Sequence, residues 1–416
     1  MEIEVDVTEE NPDLDSFEQM EDGNIAFGEP TPPVEDTDFY ANLADIMPDS
    51  DLNSLKNDLM SNIESDKDSR GDWEKTYREG LEYLGMKYEE RSQPFEGASG
   101  VMHPLLSESV TQFQAQAYNE LLPSQGPVKT QVLGMTTPET EQQAARVQEF
   151  MNYQLMQVMK EYDPETDQML FYLPLSGSAF RKVYYDQNLG RAVSKFIPSE
   201  DLIVPYSATD LHSATRITHV INMPMNDIRK LQQIGFYSDV DIDSGNMMAD
   251  ETDDIQEGID ELQGVKPSYD DDDTCKVHEI HTELDIEGFE DMNAEGEDTG
   301  IKLPYIVTIG NNKVLSIRRN YKENDQLKQR INYFVHYKFL PGLGFYGFGL
   351  THMIGGLSKA ATSILRQLID AGTLSNLPAG FKARGIRIRN DDQPLQPGEF
   401  RDMDAPGGSL RDAFVP

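Results

Sequence analysis

Three groups of residues have types and spacing that could support chemistry. Gly342, Gly344 and Gly347 form a GxGxxG turn between an apolar run and a helical one, the order in which a dinucleotide site sets a pyrophosphate on a helix N-terminus. Pro341 interrupts the approach, however, and Phe345 and Tyr346 stand where phosphate must come close. No acid ends a second strand about 20 residues on, so the turn is expected to be a hinge and no nucleotide cofactor is expected. Asp239, Asp241 and Asp243 with Gly245 have the alternating acids of a calcium loop, but glycine falls one place late and the twelfth position is Asp250 where a longer Glu belongs. Solvated acids are the expectation there. His278 and His281 are three apart in strand-like sequence, which points them to opposite faces and disfavours a shared zinc ion. The Gly355 to Lys359 segment lacks Walker spacing, no serine sits in a nucleophile elbow, and the histidines have no triad context. The lone Cys275 can form no intrachain disulfide, as expected of assembly in a reducing cytoplasm. These residues predict a protein that is not an enzyme and carries no metal.

Charge divides the chain more sharply than any motif. The formal net charge is -39, and residues 1–70 hold 21 acids against 3 bases while residues 239–298 hold 23 against 2. Everything else is balanced. A chain this acidic will not wrap nucleic acid by displacing counterions from many phosphates, but it can keep DNA off a wall. No apolar run is long enough for a bilayer, and the acidic N-terminus is unlike a secretory signal, so neither insertion nor export is expected.

The elements that would position these residues follow from periodicity. Residues 1–70 read as a disordered or loosely docked acidic arm. Trp73, Tyr77, Leu81, Leu84 and Tyr88 mark a first helix, and Leu106, Val110, Phe113, Ala117 and Leu121 a second. Thr137-Pro138-Glu139 opens a long helix with a near-heptad stripe from Ala144 through Val147, Met151, Leu155 and Val158 to Tyr162, expected to be buried. A shorter helix then runs to Gly177. Alternation over Phe180 to Tyr185 and Ala192 to Ile197 predicts a β-hairpin, followed by a strand at Arg216 to Asn222 and a short helix from Asn226 to Ile234. Asp239 to Asp273 reads as a mobile acidic insertion. Strands return at Lys276 to Ile286 and Leu303 to Arg319, the latter turning at Gly310, Asn311 and Asn312, and again at Arg330 to Leu340. A last helix, Leu350 to Ala371, carries the stripe Ile354, Leu357, Ala361, Ile364, Leu368 and Ala371, and Ile386 and Ile388 lie in a final strand.

Several of these segments resemble portal proteins of tailed bacteriophages, particularly short-tailed ones. The resemblance rests on Gln93-Pro-Phe-Glu-Gly-Ala-Ser-Gly-Val-Met-His-Pro-Leu-Leu106, on Gln112 to Ala115, and on Gly126 to Thr130. It continues through Met151 to Gln154, Leu173 to Tyr185 and Pro198 to Pro205, and covers about Asp72 to Pro416. It implies a ring, usually of twelve copies, at one capsid vertex, passing double-stranded DNA during packaging and ejection. An α+β fold would follow, with an α/β wing over 71–223, a first stem helix and the acidic insertion over 224–275, a β-rich clip over 276–330, and a returning stem helix with the start of a second wing part over 331–416. The implied partners are the terminase large subunit, capsid or scaffolding protein and tail or head-completion proteins, in the virion and in the host cytoplasm during assembly. Lys313, Arg318 and Arg319 become candidate partner contacts in the clip, and Lys359 and Arg366 candidate channel or stem contacts. Such proteins usually continue past this point, so the expectation is of a C-terminally truncated product. The alternative is an acidic scaffolding or adaptor protein that binds through its arm and makes no channel, and which would need neither stem helices nor a clip.

Overall fold

In the computed structural model of the chain, the described residues are 38–86, 91, 98–186, 189–242, 254–265, 274–292 and 298–376, with four two-residue strands beyond them at Phe381–Lys382, Arg387–Ile388, Met403–Asp404 and Phe414–Val415. A 3-10 turn at Leu43–Asp45 leads into α1 (Asp49–Asp68). Leu52, Leu55, Leu59, Met60 and Ile63 recur along α1 at helical spacing and pack on the largest apolar core, while Asp66, the buried acid of the helix, is paired with Arg216 on a later strand. The expectation of a disordered or loosely docked arm is therefore corrected over 39–70, where an apolar stripe lay hidden under strongly negative composition. Residues 1–37, the rest of that expectation, lie outside the described residues.

Four more helices follow: α2 (Gly71–Tyr83), α3 (Leu105–Leu121), α4 (Pro138–Tyr153) and α5 (Tyr162–Ser176). Tyr77, Leu81, Leu84, Leu106 and Val110 are buried together, as their spacing predicts. α4 opens on a reciprocal Thr137–Thr140 cap and runs into a π-helical turn at Gln154–Val158. None of its residues is buried, which corrects the expectation that its stripe forms core.

The strands build two antiparallel sheets, so the architecture is α+β. Gly177, at φ 84°, ends α5 and turns the chain into β1 (Ser178–Asp186). β1 pairs with β2 (Arg191–Ile197) as the predicted hairpin. β3 (Leu202–Ile203) and β4 (Arg216–Pro224) start the second sheet, and α6 (Met225–Gln233) and α7 (Asp254–Gln263) follow. α7 lies in the segment read as mobile, yet its Ile255 is wholly buried beside Leu81; the neighbouring stretches 243–253 and 266–273 are outside the described residues. β5 (Thr274–Leu284), β6 (Leu303–Gly310) and β7 (Lys313–Arg319) complete the order β3-β4-β5-β6-β7. Asn311 and Asn312, at φ 42° and 65°, make the two-residue type I′ turn that suits the twist of a hairpin. β8 (Phe334–Lys338) returns to the far edge of β1, giving the order β2-β1-β8. β4 pairs with β5 along its whole length, from Arg216 opposite Thr282 to Pro224 opposite Thr274, so strands placed by the resemblance in wing and clip share one sheet. α8 (Leu350–Asn376) then packs against α2, α3 and α5.

Candidate functional site

The glycine turn is closed by its own packing. A methyl on Gly347 would collide with the Gly177 carbonyl oxygen, and one on Gly349 would meet the Leu175 carbonyl, so this segment lies backbone to backbone against the α5–β1 junction. From Gly347 on its amides are engaged: Gly347 N–H donates to Ser178 Oγ at 2.8 Å, Phe348 N–H to the Leu340 carbonyl at 3.0 Å, and Gly349 N–H to His352 Nδ1 at 3.2 Å. The aromatic residues are wedges. Tyr346 stacks on Trp73 at 4.5 Å, and Phe345 is buried against Phe180 and His336. A phosphate would have to displace all of this.

Lys313, Arg318 and Arg319, the expected partner contacts, are likewise engaged within the chain. Arg318 donates to the Tyr40 carbonyl at 2.8 Å and the Phe236 carbonyl at 2.9 Å, with its guanidinium over the Phe236 ring. Arg319 donates to the Phe39 carbonyl at 2.8 Å, between the Phe39 and Phe289 rings, and Lys313 donates to the Asp241 carbonyl. Beside them the buried Asn42 accepts from Ile317 N–H at 2.9 Å and donates to the Leu315 carbonyl at 3.2 Å. Together these bonds strap residues 39–45 along β7 and cover a sheet edge that would otherwise be open to another strand.

A second polar cluster joins the two sheets. Lys182 on β1 reaches both oxygens of Glu279 on β5 at 2.6 Å, and His281 Nε2 lies 2.8 Å from Glu279 Oε1. Asn320 donates to His281 Nδ1 at 3.4 Å, which fixes the neutral tautomer with its proton on Nε2. His219, opposite Glu279 on β4, faces the same seam. Burial works against the Glu279 carboxylate, but Lys182 and His281 outweigh it and hold its pKa far below the usual range. Burial, aided by Lys182, pushes His219 down to about 3. This cluster is a structural ion pair that ties sheet to sheet.

The unusual surface is α8, which is turned inside out. Its inward side carries Thr351, Gly355, Ser358, Thr362, Arg366 and Asp370, polar or small residues one helical turn apart. The segment after Ala98, at the heart of the resemblance, lies along this side in extended form. Ser99 N–H donates to Asp370 Oδ1 at 2.7 Å, Arg366 Nε to the Val101 carbonyl at 2.7 Å, and His103 N–H to Thr362 Oγ1 at 3.0 Å. Steps of two extended residues match steps of four helical ones, at about 6–7 Å each. The helix is thus zipped down by its polar face. Met353, Leu357, Ile364 and Leu368 consequently point away from the chain, at 55, 63, 66 and 70 % exposure. Of the predicted stripe Ile354 packs into the core, while Leu357, Ile364 and Leu368 are exposed.

Lys359 and Arg366 both belong to the inward half of α8. Lys359 lies 5.9 Å from the Tyr83 ring centre and Arg366 holds Val101, so neither stands on the outward apolar stripe, and neither is near Lys313, Arg318 and Arg319 in sequence or sheet. Sequence reasoning found the α8 stripe but not the direction it faces. The signal for its direction was the second, polar period through Thr351, Ser358, Thr362 and Asp370. No helix among the described residues is long and apolar enough to cross a membrane. No protein-family model matches the chain, and no curated protein matches it at a significant level.

Proposed function

We propose that this chain is a structural subunit of a portal-type ring, a channel for double-stranded DNA at a capsid vertex and a docking platform for terminase and tail proteins, without catalytic activity. The observation that carries the reading is the inverted α8. A 27-residue helix, about 40 Å long, leaves a charge-free apolar stripe uncovered, and contiguous apolar surface of this kind marks a contact with another protein. Burying four such side chains fully is worth about 1.5–3 kcal/mol each, so from their exposure the stripe contributes roughly 4–8 kcal/mol. Association itself costs about 4–15 kcal/mol. One stripe is too little for a tight dimer, whereas a closed ring in which every copy is held on two sides suits contacts of this strength.

The resemblance supplies the rest of the proposal. α8 corresponds to the returning stem helix, α6 to the first, and β5 to β7 to the clip. In such a ring an acidic chain grips DNA weakly, because few phosphates can be neutralised. Imaging of the purified protein tests the reading. Rings with an open centre wide enough for duplex DNA support it, and a protein that remains monomeric at high concentration refutes it.

A further inference from the structure

The α8 stripe alone is too little for a tight contact, and a second unmet apolar surface lies elsewhere on the same chain. From Gly126 to Met159 the chain forms an arm. Its first part is extended and runs antiparallel to α4: Asn152 brackets Val128, accepting from its N–H at 2.9 Å and donating to its carbonyl at 3.1 Å, and Thr130 donates to the Ala144 carbonyl at 2.9 Å. These bonds use polar side chains only. Within the chain α4 packs chiefly on the π-helical turn that follows it, and it buries nothing. Leu133 and Met135 are 89 and 87 % exposed, and Val147, Phe150, Met151 and Tyr153 are 44–61 % exposed. A helix of 16 residues with no buried side chain is not stabilised by its own chain's core.

We infer that this arm docks by its Val147–Phe150–Met151 face on the outward stripe of α8 in a second copy of the chain; the inference rests on the assembly reading above. Three observations select that occupant. Both stripes have the three- and four-residue spacing with which helices interlock knobs into holes. Their sizes are complementary: Ala360, exposed between Leu357 and Ile364, leaves a low place in the stripe that a large side chain such as Phe150 or Met151 can fill. Neither stripe carries a charge, so copies of a chain at -39 can meet there without apposing acids. The contact is heterologous. Each copy gives its arm to one neighbour and its α8 to the other, the geometry that closes rings.

The test uses Phe150→Cys and Ile364→Cys in separate full-length chains, with the native Cys275 buried and out of reach. A mild oxidant is added to each chain alone and to their mixture, while sedimentation reports assembly independently of the cross-link. A disulfide-linked pair in the mixture and in neither chain alone is the expected result, with the double variant giving a ladder of linked chains. Self-linking of Ile364→Cys, or no link in chains that are assembled, overturns the arm-to-α8 contact and leaves the assembly reading standing. Chains that stay monomeric overturn both. Phe150→Asp, at a position 61 % exposed, is expected to keep the far-ultraviolet spectrum of the parent and to lose the assembled species.

Discussion

Acid should loosen this fold through its histidines, and the size of the effect can be worked from their surroundings. Burial, then Lys182, pushes His219 down to about 3; burial, then Lys276, pushes His278 to about 4; and burial, then Lys338, pushes His336 to about 3. In the unfolded chain each titrates near ~6.5. Above that value neither state holds the proton and the fold has its full stability. Below it the unfolded chain takes up protons that the folded chain refuses, so stability falls with pH until the folded values are reached. Between pH 7.5 and 5.0 each residue removes about 2 kcal/mol, roughly 6 in all, against a typical total of about 5–15 kcal/mol. Glu279 adds little there, because its stabilisation is lost only as pH falls below the unfolded carboxylate value of about 4.3. The assay is urea unfolding at the two pH values followed by the fluorescence of Trp73, the chain's single tryptophan, which stacks on Tyr77 and Tyr346. His219→Leu should remove about a third of the difference. An unfolding midpoint that is the same at both pH values, or a His219→Leu chain as acid-sensitive as its parent, would refute the reasoning.

Other substitutions probe the joints of the fold. Lys182→Met leaves the Glu279 carboxylate in the seam without its ammonium and should cost about 3–5 kcal/mol in denaturant unfolding, while Lys182→Met with Glu279→Gln should recover part of that loss. Asn42→Ala strips the β7 edge of its strap and should cost about 2–3 kcal/mol, with amide exchange rising first at Ile317. Gly349→Ala forces a methyl against the Leu175 carbonyl and should lower stability by about 3 kcal/mol, whereas Gly344→Ala, which meets nothing within 4 Å, should be nearly neutral; melting temperatures separate the two.

Periodicity and turn chemistry made much of this architecture readable. The β1–β2 hairpin, the Asn311–Asn312 turn, the strands β4 to β8 and the buried stripe of α2 and α3 all follow from local patterns that tertiary packing reinforces. Net charge misled where it averaged over two faces of one helix. In α1 the acids at Asp51, Asp58 and Glu64 surround Leu59 and Ile63, which are core, and in α7 Ile255 is core within an acidic stretch. The candidate site was half legible. The stripe of α8 stands in the sequence, but its direction is set by Ser99, Val101 and His103, about 260–270 residues away, and the polar period on α8 does not say which distant segment it meets. Lys313, Arg318 and Arg319 illustrate the same limit, since their partners are backbone carbonyls of Asp241, Tyr40, Phe236 and Phe39 that no residue type announces.

The central claim is that the outward face of α8 joins copies of this chain. Sedimentation equilibrium of the parent protein and of Ile364→Asp, each across a wide concentration range, measures it most directly. The account predicts a closed assembly of many chains for the parent and a folded monomer for the variant, because Ile364 touches little of its own chain at 66 % exposure. A variant that assembles as well as its parent would contradict it.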